Sequence, residues 1–125
     1  MAIEQAVYGE LIKSESLDRV LNGRIFPIRI PQKTKLPAAV YYRVSGVPYN
    51  NMGAFGLSRV RIRFDIWAFS YSEVKDIADI LKMEIAAAKG FEKMIENCGP
   101  DWGDDKTFRT SLDIICWERG GYCYE

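Results

Sequence analysis

The clearest pattern in the chain is an alternation with a period of two over residues 58–69. Apolar side chains occupy every second position, namely Val60, Ile62, Phe64, Ile66 and Ala68. The positions between them carry Arg59, Arg61, Arg63 and Asp65. Because successive side chains of a strand point to opposite faces, this segment predicts a strand with one apolar and one charged face.

Two segments show the spacing of amphipathic helices. Residues 3–21 place apolar side chains near one helical face, and Asn22-Gly23 then supplies residues that tolerate a left-handed C-terminus. A second helix is predicted to begin at Ser70 or Ser72 and to run to about Lys89, with an acidic first turn and a regular apolar stripe. The sequence thus predicts two main helices.

Further strands are indicated where β-branched and aromatic residues cluster. Residues 24–27 predict a short extended piece, and residues 38–45 and 107–117 predict longer strands. Residues 91–97 are compatible with a short strand or a helical turn. With the two helices, these strands predict an α+β fold: a two-layer domain with a mostly antiparallel sheet, spanning residues 1–125 as one domain.

Residues 46–57 form the segment richest in glycine, proline and asparagine, so we expect a long surface loop there. Apolar side chains in such a loop indicate a binding surface, although they are also compatible with a small cluster folded back onto the domain. The residues predicted to contact a partner are Val47, Tyr49, Asn50, Asn51, Met52 and Phe55.

A second loop is expected over residues 98–105, where Asp101, Asp104 and Asp105 lie close together in sequence. Such carboxylates could bind a cation, but the spacing lacks the alternating ligands and later glutamate of a calcium loop. The ordinary role of aspartate in turns is the favoured interpretation. The cysteine Cys98 at the start of this loop and Cys123 near the end of the chain match no zinc or redox spacing.

Composition narrows the classes of function. The 125 residues are 48% hydrophobic and 27% charged, values typical of a globular domain. The 17 basic and 17 acidic residues give no net charge, which disfavours a primary nucleic-acid binder. The chain contains no histidine, which excludes Ser-His-Asp and Cys-His catalytic sites. We therefore expect no enzyme activity and no cofactor, and neither a membrane span nor a signal peptide is indicated.

Arg59, Arg61 and Arg63 share the charged face of the predicted strand. They could form a positive stripe that faces a partner or a passing DNA, or they could be neutralised across strands by Asp65, Asp113 or Glu118, which is the favoured interpretation. A nucleic-acid-binding module built on this face, with Tyr41 and Tyr49 stacking on bases, remains an alternative. A small-molecule-binding α+β domain is another.

The order of prolines, aromatic residues and strands resembles that of the phage tail-completion proteins, also called tail terminators or head–tail joining proteins. The resemblance is carried by Asn22-Gly23-Arg24-Ile25-Phe26-Pro27, Ile30-Pro31-Gln32, Leu36-Pro37-Ala38-Ala39-Val40-Tyr41, Arg43-Val44-Ser45-Gly46, Arg61, Phe64-Asp65-Ile66-Trp67-Ala68, Ser70-Tyr71, Phe108-Arg109-Thr110-Ser111-Leu112-Asp113 and Trp117. It covers nearly the whole chain but includes no catalytic signature, and it does not extend to the aspartate-rich loop.

This resemblance implies an α+β fold and a structural role. It also implies that the chain self-associates into a ring, usually of six subunits, either in solution or only on its tube template. The ring caps the tail tube and binds the head-completion or connector protein, and DNA passes through its opening. The implied location is the host cytoplasm during assembly and then the head–tail junction of the virion.

Overall fold

The computed structural model describes residues 3–49, 57–89 and 92–119. The elements are α1 Ile3–Leu11, α2 Glu15–Leu21, β1 Ile25–Pro27, β2 Ala38–Tyr49, β3 Leu57–Ala68, α3 Tyr71–Ala87, β4 Glu92–Gly103 and β5 Phe108–Arg119. The strands form one sheet in the order β1-β2-β3-β5-β4. Neighbours pair antiparallel except β1 and β2, which are parallel. The predicted α+β class with a mostly antiparallel sheet is confirmed.

The helices pack against one face of the sheet, which we call the helix-covered face. The strands contribute to its core the apolar positions that the alternation predicted, and the helices contribute their apolar stripes. The buried residues of this core include Val7, Leu11, Leu17, Val60, Ile62, Phe64, Ile66, Val74, Ile77, Leu81, Leu112 and Ile114. Burial of each large side chain contributes about 1.5–3 kcal/mol, so this face supplies most of the driving force for folding.

The predicted helix over residues 3–21 is two helices in the structure, with a break at residues 12–14. Ser14 begins a new helix, because its side chain accepts a hydrogen bond from the backbone N–H of Leu17 at 3.2 Å and so caps the N-terminus of α2. Ile12, an apolar residue within the predicted helix, is exposed rather than part of the buried face. The predicted stop is confirmed, since Asn22 and Gly23 both adopt positive φ.

Two predicted loops are partly strand. β2 continues to Tyr49 and pairs with β3 from Leu57 onward, so only residues 50–56 connect these strands. Gly46 and Pro48 are tolerated in β2 because the short β1 pairs only with Ala39–Tyr41, which leaves the rest of β2 without a neighbour on that side within the described chain.

The aspartate-rich segment is also a strand for most of its length. β4 runs from Glu92 to Gly103 and pairs with β5, with register shifts between Ile95 and Asn97 and between Cys98 and Asp101. These irregularities explain why its residues lack a clean alternation in sequence. No helix in the described residues is long and apolar enough to cross a bilayer.

Candidate interaction surface

The face of the sheet opposite the helices is lined by charged and polar side chains, and we call it the polar face. Cross-strand partners share a face, so the register of β3 with its neighbours defines which side chains meet there. The charged side chains that the structure describes on this face are Arg59, Arg61, Arg63, Asp65, Glu92, Glu96, Arg109 and Asp113. Four of these are basic and four are acidic, so these side chains together carry no net charge.

Arg63 is neutralised by the residue directly opposite it on β5. Its Nε donates to Asp113 Oδ1 at 2.8 Å and its Nη2 donates to Asp113 Oδ2 at 3.1 Å, so the two side chains form a bidentate ion pair. This hydrogen bonding raises the pKa of the Arg63 guanidinium. Asp113 is only 1% exposed, so loss of Arg63 would leave a buried carboxylate without its ion pair.

Arg59 and Arg61 share a carboxylate that the sequence did not point to. Arg59 Nη2 lies 2.7 Å from Glu96 Oε2, and Arg61 Nη2 also contacts the carboxylate of Glu96. Glu96 reaches them across β5 from the irregular part of β4, where the register shifts. The favoured neutralisation of the arginines is therefore observed. Asp113, one of the predicted partners, binds Arg63, and Glu96, which was not predicted, binds Arg59 and Arg61.

The other two acids proposed for that pairing have different partners. Asp65 accepts hydrogen bonds from Ser111 Oγ at 2.6 Å and from the Tyr42 hydroxyl at 3.0 Å. Burial, and next the charge of Asp65, raise the pKa of Tyr42. Glu118 lies on the helix-covered face, where its Oε2 accepts from the backbone N–H of Ile3 and from Arg43, both at 3.0 Å. It therefore fastens α1 to the sheet.

One arginine of the polar face differs from the others. Arg109 lies between Trp67 on β3 and Trp102 on β4, its two cross-strand neighbours. Its guanidinium carbon is 5.2 Å from the Trp67 ring centroid and 5.5 Å from that of Trp102, within cation–π range. Within the described ranges no carboxylate lies within 4.0 Å of this guanidinium, and its Nε is buried without a hydrogen-bond partner.

The loop predicted to contact a partner is only partly within the described residues. Val47 lies in β2 on the polar face, opposite Arg59, and is half exposed. The backbone of Tyr49 ends β2. Asn50, Asn51, Met52 and Phe55 lie outside the described residues.

The nucleic-acid alternative finds little support in this geometry. Tyr41, which was expected to stack on bases beside the arginines, lies on the helix-covered face, where it is buried and stacks on Tyr8 with ring centroids 5.3 Å apart. The three arginines of β3 are engaged by Glu96 and Asp113, so their charges are not free for phosphates.

The aspartates of the 98–105 segment do not converge on a cation site. Asp104 accepts from the backbone N–H groups of Lys106 and Thr107, the turn role that was favoured. Asp101 lies in β4, where hydrogen bonds from Thr110 and Tyr71, together with Lys75, lower its pKa to about 2. No cluster of three or more His, Cys, Asp or Glu suited to a metal occurs in the described ranges.

The two cysteines in the part of the chain that the structure describes differ in their exposure. Cys116 is buried in the core, and this burial raises the pKa of its thiol to about 12. Cys98 is exposed, and Cys123 lies outside the described residues.

Comparison with known proteins agrees with this architecture. The family described as tail completion protein gp17 matches residues 5–117. A chain in the virion of a native gene transfer agent particle has the same fold, with a TM-score of 0.69 at 11% identity over 91% of this chain and 92% of that chain. No curated protein matches the sequence. The family is one of structural phage tail proteins, and this chain belongs to it.

Proposed function

We propose that the chain assembles into a ring, most simply of six subunits, that caps the tail tube and joins it to the head connector. DNA passes through the opening of this ring. The observation that carries the proposal is the family match over residues 5–117, which spans almost all of the described sheet and helices. The protein acts first in the host cytoplasm and then at the head–tail junction of the virion.

The charge distribution of the polar face suits a conduit or a protein contact. A channel lined by unpaired arginines would hold DNA phosphates strongly and slow its passage. In this chain Arg59 and Arg61 are paired with Glu96, and Arg63 is paired with Asp113. If the face formed by Arg59, Arg61 and Arg63 lines the opening, it presents DNA with a nearly neutral wall.

The direct test is light scattering after size-exclusion chromatography over a wide range of concentration, with negative-stain images of the concentrated peak. Rings with a central hole support the proposal. If the protein remains a monomer, it is added to purified tail tubes of the same phage, where a ring at one tube end is expected. Absence of rings both alone and on tubes would contradict the proposal.

The end of β2, together with the connection over residues 50–56, is proposed as one of the partner contacts. Tyr49→Asp at the end of β2, combined with Phe55→Asp in the connection, is expected to leave the fold intact and to block the joining of heads and tails. Circular dichroism checks the fold, and particle counts in electron micrographs check joining. Joining at the wild-type level by the double variant would exclude this contact.

A further inference from the structure

We propose that Trp67, Arg109 and Trp102 form a docking site for a carboxylate-bearing segment of another protein of the particle. We call these three residues the Trp–Arg–Trp site. The proposal rests on the proposed function for the source of its partner, namely the tail tube or the head connector. Its geometry rests only on this chain.

The site is built on the sheet, so its parts are held in fixed positions. Trp67, Arg109 and Trp102 lie in one cross-strand row over β3, β5 and β4. The two indoles meet edge to face at 70°, with ring centroids 6.1 Å apart, and the guanidinium lies within cation–π range of both. A side chain fixed in this way loses little conformational entropy when a partner binds.

The charge at the centre of the site is not satisfied within the described chain. Arg59, Arg61 and Arg63 each have a carboxylate partner on the same face. Arg109 has none within 4.0 Å among the described residues, and its Nε is the one buried side-chain polar atom there that lacks a hydrogen bond. A carboxylate supplied from outside would balance the charge of this guanidinium, which no side chain of the described chain does.

The surroundings favour a protein carboxylate over a nucleic-acid phosphate. Trp102 remains 45% exposed, and tryptophan and arginine are the residues most enriched at the energetic centres of protein interfaces. Strong phosphate binding needs several free cations, but the next row toward Arg63 holds the acid Asp65. A single acidic side chain next to an apolar one fits this combination of charge and indole surface.

The test measures binding of the full chain to tail tubes and to head connectors purified from the same phage. Arg109→Gln is expected to weaken binding to one of them about tenfold or more, as for a central interface arginine. Arg109→Lys should fall in between, because lysine keeps the charge but lacks the planar fork and stacking surface. Trp102→Ala should also weaken binding.

Arg19→Gln is the matched control, since Arg19 is an exposed arginine of α2, on the helix side of the sheet. It should change binding less than about threefold, because an exposed charge away from the site contributes little. Thermal unfolding of each variant separates a lost contact from a lost fold. A second readout uses the charge reversal Arg109→Glu, for which selected partner variants that restore joining should replace an Asp or Glu with a neutral or basic residue.

The outcomes separate the two proposals. Wild-type protein that binds neither tubes nor connectors contradicts the proposed function and this site together. Equal binding of wild type and Arg109→Gln contradicts the Trp–Arg–Trp site alone. Loss of self-association only would assign the site to a second copy of this chain, and loss of DNA binding only would assign it to phosphate; either result overturns a partner carboxylate.

Discussion

Both faces of the sheet bury apolar side chains, but by different means. On the helix-covered face, residues such as Phe64 are buried by helices whose apolar stripes match the strands. On the polar face, Ile115 is fully buried although it lies opposite the helices, in a row with Arg61 and Met94. Long charged side chains can cover apolar surface with their stems. Burial of apolar side chains on the polar face therefore depends on which charged side chains pair above them. At the Trp–Arg–Trp site, Arg109 has no carboxylate partner among the described residues.

The largest expected effect comes from the helix-covered face. Phe64→Ala should lower the free energy of unfolding by about 3–5 kcal/mol, because it removes a buried ring and leaves a cavity. Phe69→Ala is the matched control, since Phe69 is 62% exposed and should change stability by less than about 0.5 kcal/mol. Chemical denaturation measures both. Similar losses for the two variants would contradict the assignment of the faces.

A smaller loss is expected when the buried pair of the polar face is broken. Asp113→Asn leaves the Arg63 guanidinium without its carboxylate and should cost about 2 kcal/mol, below the range for fully buried pairs because Arg63 is 32% exposed. Asp79→Asn breaks only an exposed helical pair with Lys82 and should cost less than about 0.5 kcal/mol. Equal losses of stability in the two variants would mean that the Arg63–Asp113 pair contributes no more than an exposed pair.

A further loss is expected for the acid on the helix-covered face. Glu118→Gln keeps an acceptor for the Ile3 N–H but removes the charge that binds Arg43, so it should cost about 1 kcal/mol. Relative to wild type, hydrogen exchange of Glu118→Gln should increase more in α1 than in α3. Glu4→Gln, which alters the more exposed partner of Arg43, is the control, and an unchanged α1 in Glu118→Gln would exclude an anchoring role.

The smallest effect concerns acid stability at the β4 edge. The pKa of Asp101 is lowered to about 2 by hydrogen bonds, first from Thr110, against 3.8 ordinarily. A depressed native pKa means that the stabilisation is complete above the ordinary value and is lost as pH falls through the native one. The melting temperature of wild type should thus fall more between pH 4 and 2 than that of Asp101→Asn. Parallel pH profiles would contradict this network.

The sequence predicted which residues form the helix-covered face, because the periodicity that identifies them lies within single helices and strands. Val60 to Ala68 alternate, α3 has its stripe, and Asn22-Gly23 has the chemistry of a helix end, so each signal lies within one element. The break before α2 also had a local signal, since Ser14 is a capping residue, but the continuous apolar spacing outweighed it. The segment 98–105 was predicted as a loop because the bulges of β4 remove its period of two.

What the sequence determined by itself is thus the fold class, the apolar layer and the absence of histidine chemistry. The tertiary structure decided which charges meet. The pairing of Arg59 and Arg61 with Glu96, and the contact of Arg109 with Trp67, join residues more than 30 positions apart through strand register. Register depends on how three strands pack together, and a shift of one residue would send every side chain to the other face. No pattern within a single strand carries that information.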